Sequence, residues 1–320
     1  MKQEYYIGID LGGTNIVAAV VDEDGVIYGR STRKTNVPRP CEEIFADMAL
    51  CAKDAAKESG ISFENIKSVG IGSPGSIERE KGYIEFSANL DFHNAPIVEC
   101  MEKLLGKRIY VENDANAAAW GEYIAGSGKG TSSMVMITLG TGVGGGVIDN
   151  GHLLIGAYGK GTELGHTVIR FNGEKCACGR KGCFEAYASA TALIKQTKKA
   201  MKENPDSEMW KIAKTLSKVD GKTAFTAKDK AAKEVIKNYL GYLSEGIVDM
   251  VNIFQPEIIC IGGGVSNAGE KILKPIRKAI KKYSYARDGE KQTEVQIAKL
   301  GNDAGLIGAA LLWKNEQMRW

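Results

Sequence analysis

The chain is 320 residues long, and its 42 basic and 39 acidic side chains leave a net charge of only +3. A balance that close excludes nucleic-acid or membrane-surface binding driven by bulk charge, and a chain of this length can bury two cores of ordinary size. No apolar leader opens "MKQEYYIGID" and no run of about 18 apolar residues occurs, so a cytoplasmic protein without a membrane partner is expected.

The first element is a strand over Tyr5–Asp10, followed by the tight turn "LGGTN", a second strand over Ile16–Val21, a "DEDG" turn and a third strand over Val26–Thr32. Asp-Gly between apolar runs is a hairpin signal. A helix is predicted over Cys41–Ser59, a strand over Ile66–Ile71, a helix over Pro96–Leu105 and a strand over Ile109–Glu112. That strand runs directly into "NDANAAAWGEY", where Asn or Asp before an Ala-rich run is a helix N-cap signature, so Asn113 and Asp114 occupy a strand-to-helix junction. From Ser132, "SSMVMITLGTGVGGGVIDNGHLLIG" repeats the plan of the N-terminus: strand, Gly/Thr turn, strand, acidic-Gly turn, strand. An internal repeat of this kind predicts two similar α/β lobes with a boundary near Asp114.

The second half reads as helices over Ala190–Glu203 and Ser207–Leu216, and a long one over Thr226–Phe254 with apolar residues at helical spacing. A buried strand, "PEIICIGGG", a helix over Glu270–Tyr283, a strand over Glu294–Ala298 and a last helix over Ala304–Trp313 complete the pattern. The lysines between Lys211 and Lys237 have no interleaved aromatic platform and read as a solvated helix face.

Three glycine turns each end an apolar strand: Gly12-Gly13-Thr14, Gly140-Thr141-Gly142 and Gly262-Gly263-Gly264. Their backbone amides can approach an anion closely because no side chain intervenes. One such turn needs no ligand to explain it; three, two of them in repeated units with hydroxyls alongside, predict a nucleotide held between two lobes. Two rival motifs fail. Gly140, Gly142 and Gly145 fit G-x-G-x-x-G but are followed by a strand instead of a helix. "GSGKGTSS" lacks the first glycine and the final Ser/Thr of a P-loop, because Tyr123 and Gly130 stand there. Asp10, a carboxylate at a strand end beside a phosphate turn, is suited to Mg²⁺.

"KCACGRKGCFE", from Lys175, packs three of the seven cysteines into eight residues. With His166, in "ELGH", as one of only three histidines, Cys176, Cys178 and Cys183 make a four-ligand tetrahedral Zn²⁺ set. A closed Cys₃His set has no open position, so its role is structural: it would pin the flanking acids Glu163 and Glu185, and two rigid acids suit recognition of a polyol. Cys41, Cys51, Cys100 and Cys260 lie apart and are expected to be inert.

Together "DLGGTN", "END", "TLGTGVGGG", "ELGH" and "CACGRKGCFE", in that order over nearly the whole chain, resemble the ROK family of sugar kinases and repressors, and within it the branch that phosphorylates glucose. The resemblance implies an actin-like ATPase fold with two ribonuclease-H-like lobes and a central cleft. The lobes would be a small one over 1–113, completed by the C-terminal helix at about 303–320, and a large one over 114–302 carrying the zinc loop. It implies ATP, Mg²⁺ and a structural Zn²⁺, with transfer of phosphate to the 6-hydroxyl of glucose. Asp114 would be the catalytic base. Gly75, Asn89, Asn113, Asp114, Glu163, His166 and Glu185 would line the sugar, His166 doing so while its other ring nitrogen binds zinc. Asp10, Gly12, Gly13, Thr14, Thr138, Gly140, Thr141, Gly142, Gly263 and Gly264 would line the nucleotide. The family's repressors carry an added N-terminal DNA-binding domain; this chain starts at its first strand, which favours a kinase. Other hexoses or N-acetylated amino sugars stay open as acceptors, and polyphosphate or ADP as donor. A non-catalytic sugar-sensing regulator is a further alternative. A homodimer or homotetramer is expected.

Overall fold

The computed structural model describes residues 3–315, in three sheets and ten helices among those residues. The chain opens with the antiparallel meander β1 (Tyr5–Leu11), β2 (Asn15–Asp22) and β3 (Ile27–Lys34), then α1 (Cys41–Ser59) and β4 (Ile66–Ser73). Strands β5 (Ser76–Glu78), β6 (Tyr83–Ser87) and β7 (Phe92–Ala95) form a small sheet of their own. Next come α2 (Ile97–Leu105), β8 (Arg108–Asn113) and α3 (Asp114–Ala125). The remainder holds β9 (Met134–Leu139), β10 (Val143–Asp149), β11 (His152–Leu153), α4 (Glu185–Ala188), α5 (Ala190–Glu203), α6 (Glu208–Ala213), α7 (Thr223–Thr226), α8 (Lys230–Phe254), β12 (Ile258–Gly262), α9 (Glu270–Tyr283), β13 (Glu294–Ile297) and α10 (Ala304–Ala310).

The first sheet runs β3-β2-β1-β4-β8 and the second β11-β10-β9-β12-β13. Each has a three-strand meander followed by two strands reached through crossovers, so the repeat in the sequence is a repeat in topology. By contacts the chain falls into two compact units. One comprises residues up to Met134, Gly146–Thr162 and the segment from Lys299 onward; the other comprises Val135–Gly145 and Glu163–Ala298. Residues 316–320, the end of the segment predicted to complete the small lobe, lie outside the described residues.

In the first unit, β1 alternates Ile7, Ile9 and Leu11 into a core shared with Ile44, Phe45, Met48 and Ala52 of α1. Their three-and-four spacing gives α1 one apolar face, and Gly60, in the left-handed region, ends it. Helix α10 packs on β1, β4 and α3 at backbone-to-backbone distance. A Cβ on Gly8 would fall 1.9 Å from the Leu306 carbonyl oxygen, and one on Gly308 1.7 Å from that of Ala117. Glycine there is a packing requirement, since neither backbone can yield. The Glu122 carboxylate, fully buried, accepts hydrogen bonds from the amides of Ser127, Lys299 and Leu300 and from the Ser127 hydroxyl. It thereby fastens the chain leaving α3 to the chain entering α10.

In the second unit β12 is buried along its whole length, and Leu243, Ile247, Met250 and Val251 face inward from α8. The predicted helix over Ser207–Leu216 is shorter, ending at Ala213, because Lys214 adopts a positive φ of 62°. The predicted last helix ends at Ala310 and passes into a tighter turn over Leu312–Lys314. Cys51 and Cys260 are buried in apolar surroundings and Cys41 and Cys100 are half-buried.

Candidate functional site

The parallel strands of the first unit end in a recess. Strand β4 lies between β1 and β8, with Asp10 level with Gly72 and Gly72 level with Glu112. Gly72 keeps the middle of that edge low: a Cβ there would stand 3.3 Å from that of Ala117 and 3.7 Å from the Asp114 Cα. The carboxyl ends of parallel strands are where open α/β sheets build ligand sites. Asn113 is the N-cap of α3, its Oδ1 accepting from the amides of Ala115 and Asn116, while its Nδ2 donates to the Gly75 carbonyl at 3.2 Å. Asp114 is therefore the first residue inside the helix, and its Oδ1 accepts from the Ala115 amide at 2.8 Å.

The Asp114 side chain is open to water yet lies in a concavity with protein around most of it. Burial raises its pKa, against the opposing pull of the Ala115 amide, its own amide and the Asn113 side chain. Asp10, half-buried, is pushed up to about 6, first by burial and then by the negative charge of Asp114. A carboxyl whose repulsion nothing nearby relieves is a site that a divalent cation would neutralise, and oxygen donors suit Mg²⁺. The fold holds Asp10 more tightly protonated than the unfolded chain does, so this residue costs stability that grows as pH rises from about 4 to about 6. Asp10→Asn should melt higher than the parent at pH 7.5, by about 1–3 °C, with the gap narrowing toward pH 5, and should lose its divalent-cation response. A variant that melts lower at every pH would refute this account.

The turn after β1 is tied down by Gly12 N–H to Asn15 O at 2.9 Å and by the Thr35 hydroxyl to Gly12 O at 2.6 Å. Asn89 approaches it, its carbonyl oxygen lying 3.4 Å from where a Cβ of Gly13 would be. Thr14 accepts from the Thr35 amide. The first unit thus brings together Asp10, Asn113, Asp114 and Gly75 at one sheet edge, and Gly12, Gly13, Thr14 and Asn89 at the turn of β1.

In the second unit Thr138 is the penultimate residue of β9, and Gly140 closes the turn by donating to the Gly142 carbonyl at 3.0 Å, with Thr141 exposed at the tip. Gly263, at φ 81°, sits where a Cβ would be 2.5 Å from the Leu139 carbonyl oxygen, and Gly264 beside it has open space. The glycine turns after β9 and β12 are therefore neighbours.

The cysteine loop is a hairpin held by the bridges Val168↔Cys183 and Lys175↔Lys181. Gly182 is obligatory in it: φ is 88°, and a Cβ would meet the Arg170 carbonyl oxygen at 1.9 Å. The ligand atoms of His166, Cys176, Cys178 and Cys183 all lie within 4.8 Å of one another. Cys178 Sγ to Cys183 Sγ is 3.7 Å, as is Cys176 Sγ to His166 Nδ1. A tetrahedron with metal–sulfur bonds of about 2.3 Å has edges near 3.8 Å, so the donor set fits zinc in both chemistry and size. Because Nδ1 faces the cysteines, Nε2 of His166 is left for another partner. Glu163, exposed, starts the short turn that carries His166. Glu185 opens α4 two residues after Cys183. Its Oε2 accepts from the Val143 amide at 3.0 Å and its Oε1 lies 3.5 Å from Cys176 Sγ. The sequence predicts Glu185 as a sugar contact pinned by the metal loop; the link to Val143, next to the glycine turn, comes from the fold.

Two charged residues were missed. Arg79 and Glu112 form a buried ion pair directly behind Asn113 and Asp114. The only signal was Glu112 directly after the apolar run Ile109–Val111 in "RIYVEN". A groove of about 570 Å³ between α5 and α8 contains none of the predicted residues. Its rim mixes Arg170, Lys195, Lys199 and Lys230 with Glu174, Glu203 and Glu234, a balance typical of a solvated surface.

The model of the ROK family matches residues 6–316. A glucokinase of Thermotoga maritima is 40% identical over 313 residues, covering 96% of both chains. A glucokinase of Streptomyces coelicolor is 37% identical over 310 residues, covering 95% of this chain and 96% of that one. Among solved structures, a ROK family glucokinase from Streptomyces griseus, crystallised with glucose and AMPPNP, superimposes with a TM-score of 0.79 at 35% identity, over 96% of this chain and 98% of that one.

Proposed function

The chain belongs to the ROK family, and from that membership we propose that it transfers the γ-phosphoryl group of ATP to the 6-hydroxyl of glucose. The observation that carries the reading is the recessed pair Asp10 and Asp114 at one sheet edge, one carboxylate suited to a cation and the other to a proton. Phosphoryl transfer asks for positioning and charge neutralisation more than for covalent chemistry.

Asp114 accepts the proton of the 6-hydroxyl as that oxygen attacks. A raised pKa suits a base that works near neutral pH. Asn113, Asn89, Gly75, Glu163, His166 and Glu185 bind and orient the sugar. The amides of the turns at Gly12–Thr14 and Gly140–Gly142, with Thr138, hold phosphate oxygens, and Gly263 and Gly264 face the nucleoside. Asp10 would hold Mg²⁺, which would supply positive charge for the transferring group. His166, Cys176, Cys178 and Cys183 would hold Zn²⁺, which would keep His166 and Glu185 in place without entering the chemistry. The same reading carries a cytoplasmic homodimer or homotetramer. No helix among the described residues is long and apolar enough to cross a membrane.

The test is ADP release measured over glucose, fructose, mannose, N-acetylglucosamine and N-acetylmannosamine, with and without Mg²⁺. Glucose should give the highest kcat/KM, and turnover should vanish without a divalent cation. A preference of about tenfold for another sugar would change the substrate, a difference that one or two pocket hydrogen bonds can produce. Absence of turnover with every sugar would remove the kinase reading.

A further inference from the structure

Behind the recess lies a charge pair that none of the roles above requires. Glu112 is fully buried and the Arg79 side chain is 10% exposed. Every polar atom of the Glu112 carboxylate is used. Oε1 accepts from the Asn113 amide at 2.8 Å and from Asn116 Nδ2 at 3.1 Å, and Oε2 pairs with Arg79 Nη2. It therefore grips the N-cap residue of α3 and the first turn of that helix, on either side of Asp114. Arg79 in turn donates from Nη1 to the carbonyl of Gly159 at 3.0 Å. The loop at Gly159 lies so close over the guanidinium that a Cβ there would stand 2.0 Å from Nη1. Arg79 also closely follows Gly75, whose carbonyl accepts from Asn113.

We propose that Arg79 and Glu112 are positioning residues: the pair locks the β8–α3 junction, the segment after Gly75 and the loop around Gly159 into one register. The proposal rests on the kinase reading for its kinetic consequence, though not for its structural one. A buried ion pair is seldom retained for stability, since apolar replacements of similar volume often do as well. Here each partner also holds backbone that the pair's removal would free. Glu112 sets where the Asp114 carboxylate points, so its loss should lower kcat. Arg79 sets the loop that runs on to Glu163, so its loss should raise the sugar's KM.

The experiment uses the full chain and the variants Glu112→Gln, Arg79→Lys and the charge-free double Arg79→Gln/Glu112→Gln. Glu112→Gln should lower kcat about 10–100-fold with KM for glucose within about threefold. Arg79→Lys, which keeps the charge but not the two-pronged grip, should raise that KM about fivefold or more. The double variant should lose less in kcat/KM than the sum of the effects of Glu112→Gln and of Arg79→Gln made alone, as expected for groups acting through one another. Amide hydrogen exchange, which needs no turnover, should speed up at 154–162 in both Arg79 variants and at 113–116 in both Glu112 variants. If the variants only melt lower, with unchanged kcat, KM and exchange in those segments, the pair is structural and the proposal is overturned. If the parent phosphorylates no sugar, the kinase reading fails, and the exchange arm alone decides whether the pair locks the segments.

Discussion

Asp114→Asn should lower kcat by about 10²–10⁴-fold, the usual contribution of a positioned general base, with glucose KM changed no more than about threefold. The fold predicts a clean loss. Asn113, and not Asp114, caps α3, so the substitution leaves the cap hydrogen bonds to the Ala115 and Asn116 amides intact. It also removes the charge that pushes up Asp10, so the folded protein should be no less stable. Steady-state kinetics with a thermal melt of the same preparation make the measurement. The pH profile adds a second reading. Burial raises the Asp114 pKa above the ordinary carboxylate value, and the base works only when ionised. Parent kcat/KM should therefore rise with pH through an acid limb whose Asp114 component is missing from Asp114→Asn. Turnover within about threefold of the parent in a folded variant would remove Asp114 from the chemistry.

The second large effect concerns the metal. Freshly purified protein should hold about one zinc per chain, and the double variant Cys178→Ser/Cys183→Ser should hold none. Glucose KM should then rise about 10–100-fold, the range seen when the support of a metal site is lost. The route is short. Only Phe184 separates Cys183 from Glu185, and Cys176 touches the same carboxylate whose other oxygen anchors Val143. Freeing the hairpin frees Glu185 and with it the start of β10. Elemental analysis, followed by chelation and zinc add-back on the parent, separates metal loss from misfolding, because add-back should restore the sugar KM. Metal well below one per chain together with full sugar affinity would sink the zinc assignment.

The elements that were legible in the sequence are those whose signal is local. Helix α1 runs over the predicted Cys41–Ser59 because its apolar spacing and the glycine after it are both contained in the segment. The repeated Gly/Thr turns showed the duplicated meander that opens each sheet, since a strand–turn–strand plan is written within about 30 residues. The His166 and cysteine set was readable because few other residue types ligate zinc and their spacing is a chain property. By contrast, the small β5-β6-β7 sheet was missed. Its strands are three to five residues long, and their buried Ile77, Ile84 and Phe92 alternate too briefly to stand out. Helix α4, one turn long and following the cysteine loop, was missed for the same reason.

Residue types and their order along the chain determined the strand–turn repeat, the grouping of one histidine with three cysteines and the carboxylate at the head of an Ala-rich helix, because each is a pattern within one short stretch. Only the tertiary structure decided that Asn113 caps that helix and that Asp114 is its first residue. It alone set Glu185 between a thiol and the Val143 amide, and joined Arg79 to Glu112, 33 residues apart. The reason is physical: a hydrogen bond or an ion pair depends on where two groups lie in space, and buried partners distant along the chain are brought together by the packing of the whole sheet.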